Sequence, residues 1–534
     1  MIVFILVWTC IVLIYRYITR SHDYWAKRNV KHDRPLPFFG NHLPNFLVRR
    51  TVTDIGVELY NKYKGEKIVG YYRGNTPELI IRDPEIVKHI LTVDFKSFPD
   101  RTPEDFFKND PLLQNMVFMN GEKWRSARQQ MSPGMSRIKL RGMFPKLLEC
   151  VQKLERTVEV IAARQEDTKS YELMIGYTLA CIGCCGFGVD LKTISTECSN
   201  FADEAKRFFS KSKQKIQMLA LGEIIPEITS LFSIKIINKD LETVVMDMAR
   251  NIRKQRNWRP SGRNDFMDIL LEMEVKRKFA NGDNLENSLE KEYNEGESEE
   301  RLLYASIQLF LLLIGGFETT ATAMSTTFHY LAYHPDIQLK IQDEIDRVLV
   351  KCDNELTFES LDEMTLLEMA FKESMRLLSP FGYFRRTTAE KYTLPGTGVT
   401  IDPGVRIMIP TQALHMDPNY FDNPEEFRPE RFSPEAGKQN ANYKYMAFGE
   451  GPRKCIGMPN VGTHSSLHSL LRGFELTNKT KSKRPRLSAI SPSLATYTGS
   501  KSMISGSMVF LTKRYARFFW RENEKDRVAA LYYR

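Results

Sequence analysis

The chain has 534 residues, 42% hydrophobic and 27% charged, with 30 glycines, 25 prolines and a formal charge of +10. These values sit near the globular average and exclude long-range disorder, a collagen-like repeat and a protein of many membrane spans. The eight cysteines are too few for a disulfide scaffold. The positive charge suits acidic partners or anionic lipid. No compact nucleic-acid module is visible, so no nucleic-acid partner is expected.

Residues 1–15 carry no charge, and Arg16, Arg20, Lys27, Arg28, Lys31 and Arg34 follow. A membrane span needs about 20 apolar residues. The run reaches that length if Tyr17 and Ile18 join it and Arg16 snorkels to the interface. A cleaved secretory signal would carry a basic residue before the apolar run and a small-x-small site after it; neither is present. Residues 1–20 are therefore predicted to be one amino-terminal membrane anchor helix, with the positive flank keeping the rest of the chain cytosolic. Residues 21–41, basic and proline-rich, are predicted to be an extended hinge. Residues 42–512 are expected to form one catalytic domain, and residues 513–534 an atypical carboxy-terminal tail.

Within the domain, residues 67–73 and 78–82 read as strands, and helical periodicity dominates from 122 to about 350. Residues 281–300 are rich in Asn, Gly and Glu and read as a solvated loop. Over 392–417, Pro and Gly punctuate short apolar runs, which predicts small strands and turns. The fold class is mainly α with a small β portion.

Several clusters along this frame carry chemistry. Trp124 and Arg128, four apart, point the same way on a helix. Cys181, Cys184 and Cys185 lie among Leu179, Ala180, Ile182 and Phe187, with no second Cys/His pair at zinc-finger spacing. They read as buried helix cysteines rather than a zinc site. Residues 302–331 form a long apolar stretch, hence a helix buried on most sides. Gly315 and Gly316 within it each cost about 1 kcal/mol of helix propensity, which makes sense where something flat approaches the backbone. Glu318 followed by Thr319 is costly on a buried helix unless the pair is hydrogen-bonded or relays protons. Glu373 and Arg376 share a helix face, while Pro429-Glu430-Arg431-Phe432 alone reads as a loop.

The deciding stretch is Phe448-Gly449-Glu450-Gly451-Pro452-Arg453-Lys454-Cys455-Ile456-Gly457. A tight Gly-rich turn lets backbone N–H groups point at the Cys455 sulfur. A helix starting just after it adds its positive end, and Arg453 adds charge. All three lower a thiol's pKa, and a thiolate so held can ligate haem iron.

This run has the form Phe-x-x-Gly-x-Arg-x-Cys-x-Gly and closely resembles the haem-binding signature of the cytochrome P-450 monooxygenases. The resemblance covers nearly the whole chain and implies the cytochrome P-450 fold. It makes Cys455 the axial thiolate of haem b, an iron protoporphyrin IX, in a site shaped by Phe448 and Gly457. It assigns proton delivery to dioxygen to Glu318 and Thr319, and room for oxygen and substrate to Gly315 and Gly316. Trp124, Arg128, Arg386 and Arg453 would contact the haem propionates, with Arg385 able to exchange roles with Arg386. Glu373, Arg376 and Arg431 would form a buried structural ion triad. Phe106, Phe107, Phe317, Phe381 and Phe384 would line the substrate pocket.

The likeness is greatest to insect microsomal members that oxidise xenobiotics, endogenous lipids or hormones. It therefore implies a lipophilic small-molecule substrate and NADPH as electron source through NADPH–cytochrome P-450 reductase, which Lys454 would help dock. It further implies cytochrome b5 as a second partner and an endoplasmic reticulum location. The chain departs from the family after Gly457, where Met458-Pro459-Asn460-Val461-Gly462 replaces the usual Arg and apolar-Ala pair, and Gly462, Ser465 and Ser466 weaken the next helix. Two alternatives stay open: an isomerase or dehydratase on the same fold, and an inactive haem-binding relic.

Overall fold

A computed structural model describes residues 1–101, 107, 109–164, 168–188, 204, 207–208, 213–225, 235–280, 298–436, 443–457, 471–472, 474–477 and 508–513. Phe106 and the divergent stretch after Gly457 lie outside the described residues. The chain is mainly helical with a small sheet portion, as its composition and periodicity predict.

Helix α1 (Ile2–Ile18) has 17 residues and none of them is buried. At 1.5 Å per residue it is about 26 Å long, close to the roughly 30 Å of a bilayer's hydrocarbon core. The segment expected to be a hinge behaves differently. Trp25 is fully buried; its indole Nε1 donates to the Tyr71 carbonyl and its backbone N–H to the Tyr72 hydroxyl, both at 3.0 Å. His32 and Gly40 bridge to the strand that carries those tyrosines. Proline stiffness sets the path of this segment, and an aromatic side chain docks it.

Helix α2 (Val52–Lys62) starts at a capping box, in which Thr51 and Asp54 each accept the other's backbone N–H at 2.9 Å. The hairpin β1 (Ile68–Arg73) and β2 (Thr76–Ile81) follows. All of β1 is buried because its two faces are both covered. Val69 and Tyr71 pack with Val52, Ile55 and Leu59 of α2, whereas Ile68 and Tyr72 pack with Trp25 and Ile81. Two later strands, β3 (Phe384–Thr387) and β4 (Arg406–Ile409), complete the sheet in the order β1-β2-β4-β3, with β2 and β4 parallel. A second ladder pairs β5 (Phe474–Thr477) with β6 (Met508–Lys513).

The helical body contains α3 (Gly121–Met131), α4 (Arg137–Ala163), α5 (Ser170–Cys181), α6 (Lys213–Ile224), α7 (Lys239–Gln255) and α8 (Phe266–Ala280). It continues through α9 (Glu299–Gly316), α10 (Glu318–Tyr333), α11 (Pro335–Val350) and α12 (Thr365–Leu377). Helices α9 and α10 run through its middle, α9 against α7 and α10 between α5 and α12. Leu309, Phe310, Leu313, Met324 and Leu331 on them are fully buried in the largest apolar cluster. By length and composition the run Glu299–Tyr333 could cross a membrane, but 61% of its most apolar window is buried inside the protein. It is a core element.

The sequence predicts one helix over 302–331. The structure shows a break instead, with Phe317 between α9 and α10 at φ −74° and ψ −76°. Gly315 and Gly316 offer little side-chain packing to hold the turn, and the Thr319 hydroxyl donates to the Gly315 carbonyl at 2.5 Å. Hydroxyl insertion beside a glycine pair is a recognised cause of a helix kink.

Candidate functional site

The site assembles where the loop 443–457 meets α3, the strand β3 and α12. The loop turns twice through left-handed glycines, Gly449 at φ 72° and Gly451 at φ 74°. At Gly451 space decides as well as conformation: a Cβ there would lie 1.8 Å from the Leu91 carbonyl oxygen. The second turn brings the Cys455 N–H back to the Phe448 carbonyl at 3.0 Å. Phe448 itself leans on Phe371 of α12, with ring centroids 6.3 Å apart. Cys455 is thereby surrounded by protein while its own surface stays open.

Four arginines converge here from separate parts of the chain. Arg453 is buried, its guanidinium 4.2 Å above the Trp124 ring, and its Nη2 donates to the Met119 carbonyl at 2.8 Å. Arg101 donates to the Arg453 carbonyl at 2.7 Å. Arg386 is buried and donates to the Arg385 carbonyl at 2.7 Å. Arg128 and Arg101 both act electrostatically on Cys455.

Burial, and then the neighbouring guanidinium groups, push Arg453 down to about 9 and Arg386 well below its ordinary value. Burial likewise takes Arg101 down to about 10, opposed by Cys455. Asp100, 3.7 Å from Arg453, is the carboxylate that opposes this crowding. The Nε of Arg386 and both the Nε and Nη1 of Arg453 are buried without a hydrogen-bond partner. Buried donors of this kind are costly when unmade. Such a cluster is completed by an anionic ligand.

The sulfur tells the same story. Burial raises the Cys455 pKa above its ordinary value, and the Gly457 N–H, Arg101 and Arg128 oppose that rise without overcoming it. The sequence expectation was a net lowering. The difference is burial, which a motif does not reveal. A coordinated cation deprotonates a thiol outright, so a metal at the sulfur would supply the thiolate form. Propionates for the arginines and iron for the sulfur are what haem offers, and the residues present fit that group.

At the break between α9 and α10, Gly315 is open, and a methyl group placed there would meet no atom beyond its own helix within 4 Å. Thr319 is half-buried beside it. Glu318 is buried, and its Oε1 accepts the Tyr171 hydroxyl of α5 at 3.2 Å. Phe317 and Phe107 are buried, the Phe107 ring tilted 55° against Phe118 with centroids 4.6 Å apart, while Phe381 and Phe384 are half-buried.

Arg385 and Arg386 occupy adjacent positions on β3 and so point to opposite faces. Arg385 bonds Glu223 of α6, which also takes Arg73, itself paired to Glu78 at 2.9 Å. Only Arg386 is left for the cluster at Cys455. Lys454 is paired with Glu450 at 3.1 Å rather than presented alone.

Beneath the loop, Glu373 accepts both Nε and Nη2 of Arg376, at 2.8 and 2.9 Å, and Nε of Arg431 at 3.2 Å. All three side chains are buried. Arg376 also donates to the carbonyls of His415 and Glu426, at 2.7 and 3.2 Å. His415 in turn accepts the Met446 N–H at 2.9 Å, which joins this network to the Cys455 loop.

Sequence reasoning missed Arg101 and Tyr171. Arg101 reaches the site from a loop 352 positions before its partner. Tyr171 meets Glu318 across 147 positions. Neither lies in a local pattern.

Known proteins match most of this chain. A family model described as Cytochrome P450 matches residues 31–498. Cytochrome P450 6B7 of Helicoverpa armigera is 32% identical over 448 residues, 84% of this chain and 86% of that protein. Cytochrome P450 6B6 of the same organism is 34% identical, with the same shares covered. Cytochrome P450 6a2 of Drosophila melanogaster is 32% identical over 82% of this chain and 86% of its own.

Proposed function

Because this chain belongs to the cytochrome P450 family and is a haem-thiolate monooxygenase, we propose that it oxidises lipophilic small molecules, xenobiotics or endogenous lipids. It does so at the endoplasmic reticulum, with electrons from NADPH delivered by NADPH–cytochrome P-450 reductase. The apolar helix α1 supports a membrane location. The aromatic residues Phe107, Phe317, Phe381 and Phe384 support an apolar substrate.

The carrying observation is the pairing of unpartnered arginine nitrogens with an open cysteine sulfur. Haem, when bound, supplies the iron that activates dioxygen. Cys455 would ligate it, Arg101, Arg128, Arg386 and Arg453 would hold its carboxylates, and Trp124 steadies Arg453 by a cation–π contact. Gly315, without a side chain, would leave room for oxygen and substrate. The Thr319 hydroxyl, resting on the Gly315 carbonyl, passes a proton into that space. Glu318 supplies the next proton from a position held by Tyr171.

The test joins the protein with reductase, NADPH and a panel of lipophilic compounds, and weighs products for one added oxygen atom. A far-red-shifted Soret band of the ferrous carbon monoxide form is expected, together with NADPH-dependent product. Turnover of hydroperoxides without NADPH would establish the isomerase or dehydratase alternative instead. In Thr319→Ala, product formed per NADPH falls by at least about tenfold, as loss of a positioned proton donor implies, while peroxide rises. An unchanged ratio would remove Thr319 from the relay.

A further inference from the structure

A second set of buried guanidiniums lies apart from Cys455, where α6 meets the four-stranded sheet. The ladder register puts Arg73 of β1, Glu78 of β2, Arg406 of β4 and Arg385 of β3 on one face. Glu223 of α6 comes down on that face. Its carboxylate accepts Arg73 and both Nη atoms of Arg385, and its backbone carbonyl accepts Nη1 of Arg406 at 3.3 Å. Glu78 accepts Nε of Arg73 at 2.9 Å. His42 Nε2 stands 3.2 Å from Nη1 of Arg73. A guanidinium only donates, so His42 accepts there and is neutral. Burial, and then the Arg73 charge, hold its pKa well below the ordinary value.

The charges of this set do not balance. Three guanidiniums face two carboxylates. Arg73 and Arg385 take both, and among the described residues no carboxylate pairs with Arg406. Burial, and then the Arg73 charge, take the Arg406 pKa down to about 10. Two donors are idle as well: the Nε of Arg385 and the hydroxyl of Tyr383 are buried without a hydrogen-bond partner. The Arg385 guanidinium lies 5.2 Å from the centre of the Tyr383 ring, so both donors stand beside the surplus charge. Arg406 is 8% exposed and Tyr383 4%, too little for bulk water to serve them. A buried charge without a partner is expensive, and an unmade buried donor adds to that cost.

The surroundings narrow the occupant. On β3, Arg385 faces α6, while Phe384 and Arg386 face the other way. A molecule held at the Cys455 cluster is therefore on the opposite face of the sheet. Helix α6 seats closely on the hairpin: the Ile224 carbonyl oxygen would lie 2.7 Å from a Cβ at Gly74. So close a seat favours an ion over a bulky headgroup. The helix also depends on this junction. Its buried apolar residues Ile216, Leu219, Ala220 and Ile224 join none of the three large apolar clusters, so charge fastens it where apolar packing does not.

We propose that the junction of α6 with the sheet binds one small monovalent anion of the halide class, held by Arg406, the Arg385 Nε–H and the Tyr383 hydroxyl. The anion brings the set to neutrality and secures α6 on the sheet.

The experiment uses the ferric holoenzyme in detergent, without substrate or NADPH, so it is independent of the proposed substrate class. Melting is followed in sodium chloride exchanged for sodium gluconate at fixed ionic strength, gluconate being too bulky for the seat. An anion that binds only the folded protein stabilises it in proportion to its occupancy. The melting temperature should rise by about 2 °C as chloride replaces gluconate, with a defined midpoint. Arg406→Leu removes the surplus charge. It should melt in gluconate at least as high as wild type and lose the chloride response. Tyr383→Phe removes one donor and should raise the chloride midpoint about tenfold. Equal melting in the two salts would overturn the proposal, and so would a wild-type chloride response in Arg406→Leu. If Arg406→Leu lacks the carbon monoxide spectrum of a folded enzyme, an unmoved midpoint in Tyr383→Phe would overturn it instead.

Discussion

Arg376 and Arg431 beside Glu373, and Arg386 and Arg453 near Cys455, are all buried cations, yet they end in opposite states. Arg376 has five N–H donors, and they reach the Glu373 carboxylate, the carbonyls of His415 and Glu426, and the Met416 sulfur. That set is closed within the protein. Among the described residues, three buried nitrogens of Arg453 and Arg386 find no hydrogen-bond partner, and the Asp100 carboxylate opposes the repulsion felt by Arg453. The first set holds the fold together. The second stores a demand for negative charge that only a ligand meets.

The largest effect should come from opening the closed set. Glu373→Gln leaves Arg376 buried without its carboxylate, while Arg431 keeps Asp422 at 2.7 Å. Removing one member of a buried ion pair costs about 3–5 kcal/mol. Loss of folded protein is expected whether or not haem is supplied, read by thermal melting and by the carbon monoxide spectrum. A variant that melts like wild type would show that the network carries little of the stability.

Arg453→Leu should behave in the contrary way. It deletes a buried, crowded cation, so the haem-free protein keeps or gains stability. Haem binding loses charge-assisted hydrogen bonds worth about 1.5–3 kcal/mol, or roughly 10- to 100-fold faster haem loss. Transfer of haem to an acceptor protein measures that rate. Arg101→Leu should repeat the pattern more weakly, because Arg101 is half-buried. Equal damage to both forms in either variant would erase the distinction between the two sets.

The smallest effect concerns His415, the residue that joins the closed set to the sulfur loop. Burial, and then the Arg376 charge, take its pKa down to about 3. The unfolded chain therefore binds a proton near pH 6.5 while the folded chain does not. Its stabilising share is present above pH 6.5 and declines as pH falls toward 3, by up to about 1.4 kcal/mol per pH unit. A glutamine can accept the Met446 N–H without titrating. His415→Gln should flatten the fall of melting temperature between pH 6.5 and 4, and identical slopes would remove His415 as a cause.

What could be read from sequence follows a physical line. Cys455, Glu373 with Arg376, and Trp124 with Arg128 sit in short patterns, because turns and helix faces are local. The break at Phe317 was hidden, since the apolar pattern runs straight through it and the kink depends on a Thr319 hydroxyl meeting a carbonyl. Arg385 and Arg386 could not be separated until Glu223 of α6 was seen to take the first. Arg101 and Trp25 act through loops whose paths are set by distant partners. The rise in the Cys455 pKa depends on burial, which no ten-residue motif contains.

The tight fit of Gly451 against Leu91 orders events during biosynthesis. The sulfur-bearing turn leaves the ribosome late and must nest against backbone made early, after Arg101, Arg128 and Arg386 have already emerged. A nascent chain thus presents Arg101, Arg128 and Arg386 before Arg453 and the Cys455 sulfur, and a product truncated before the turn would leave those three arginines without the loop on which they converge.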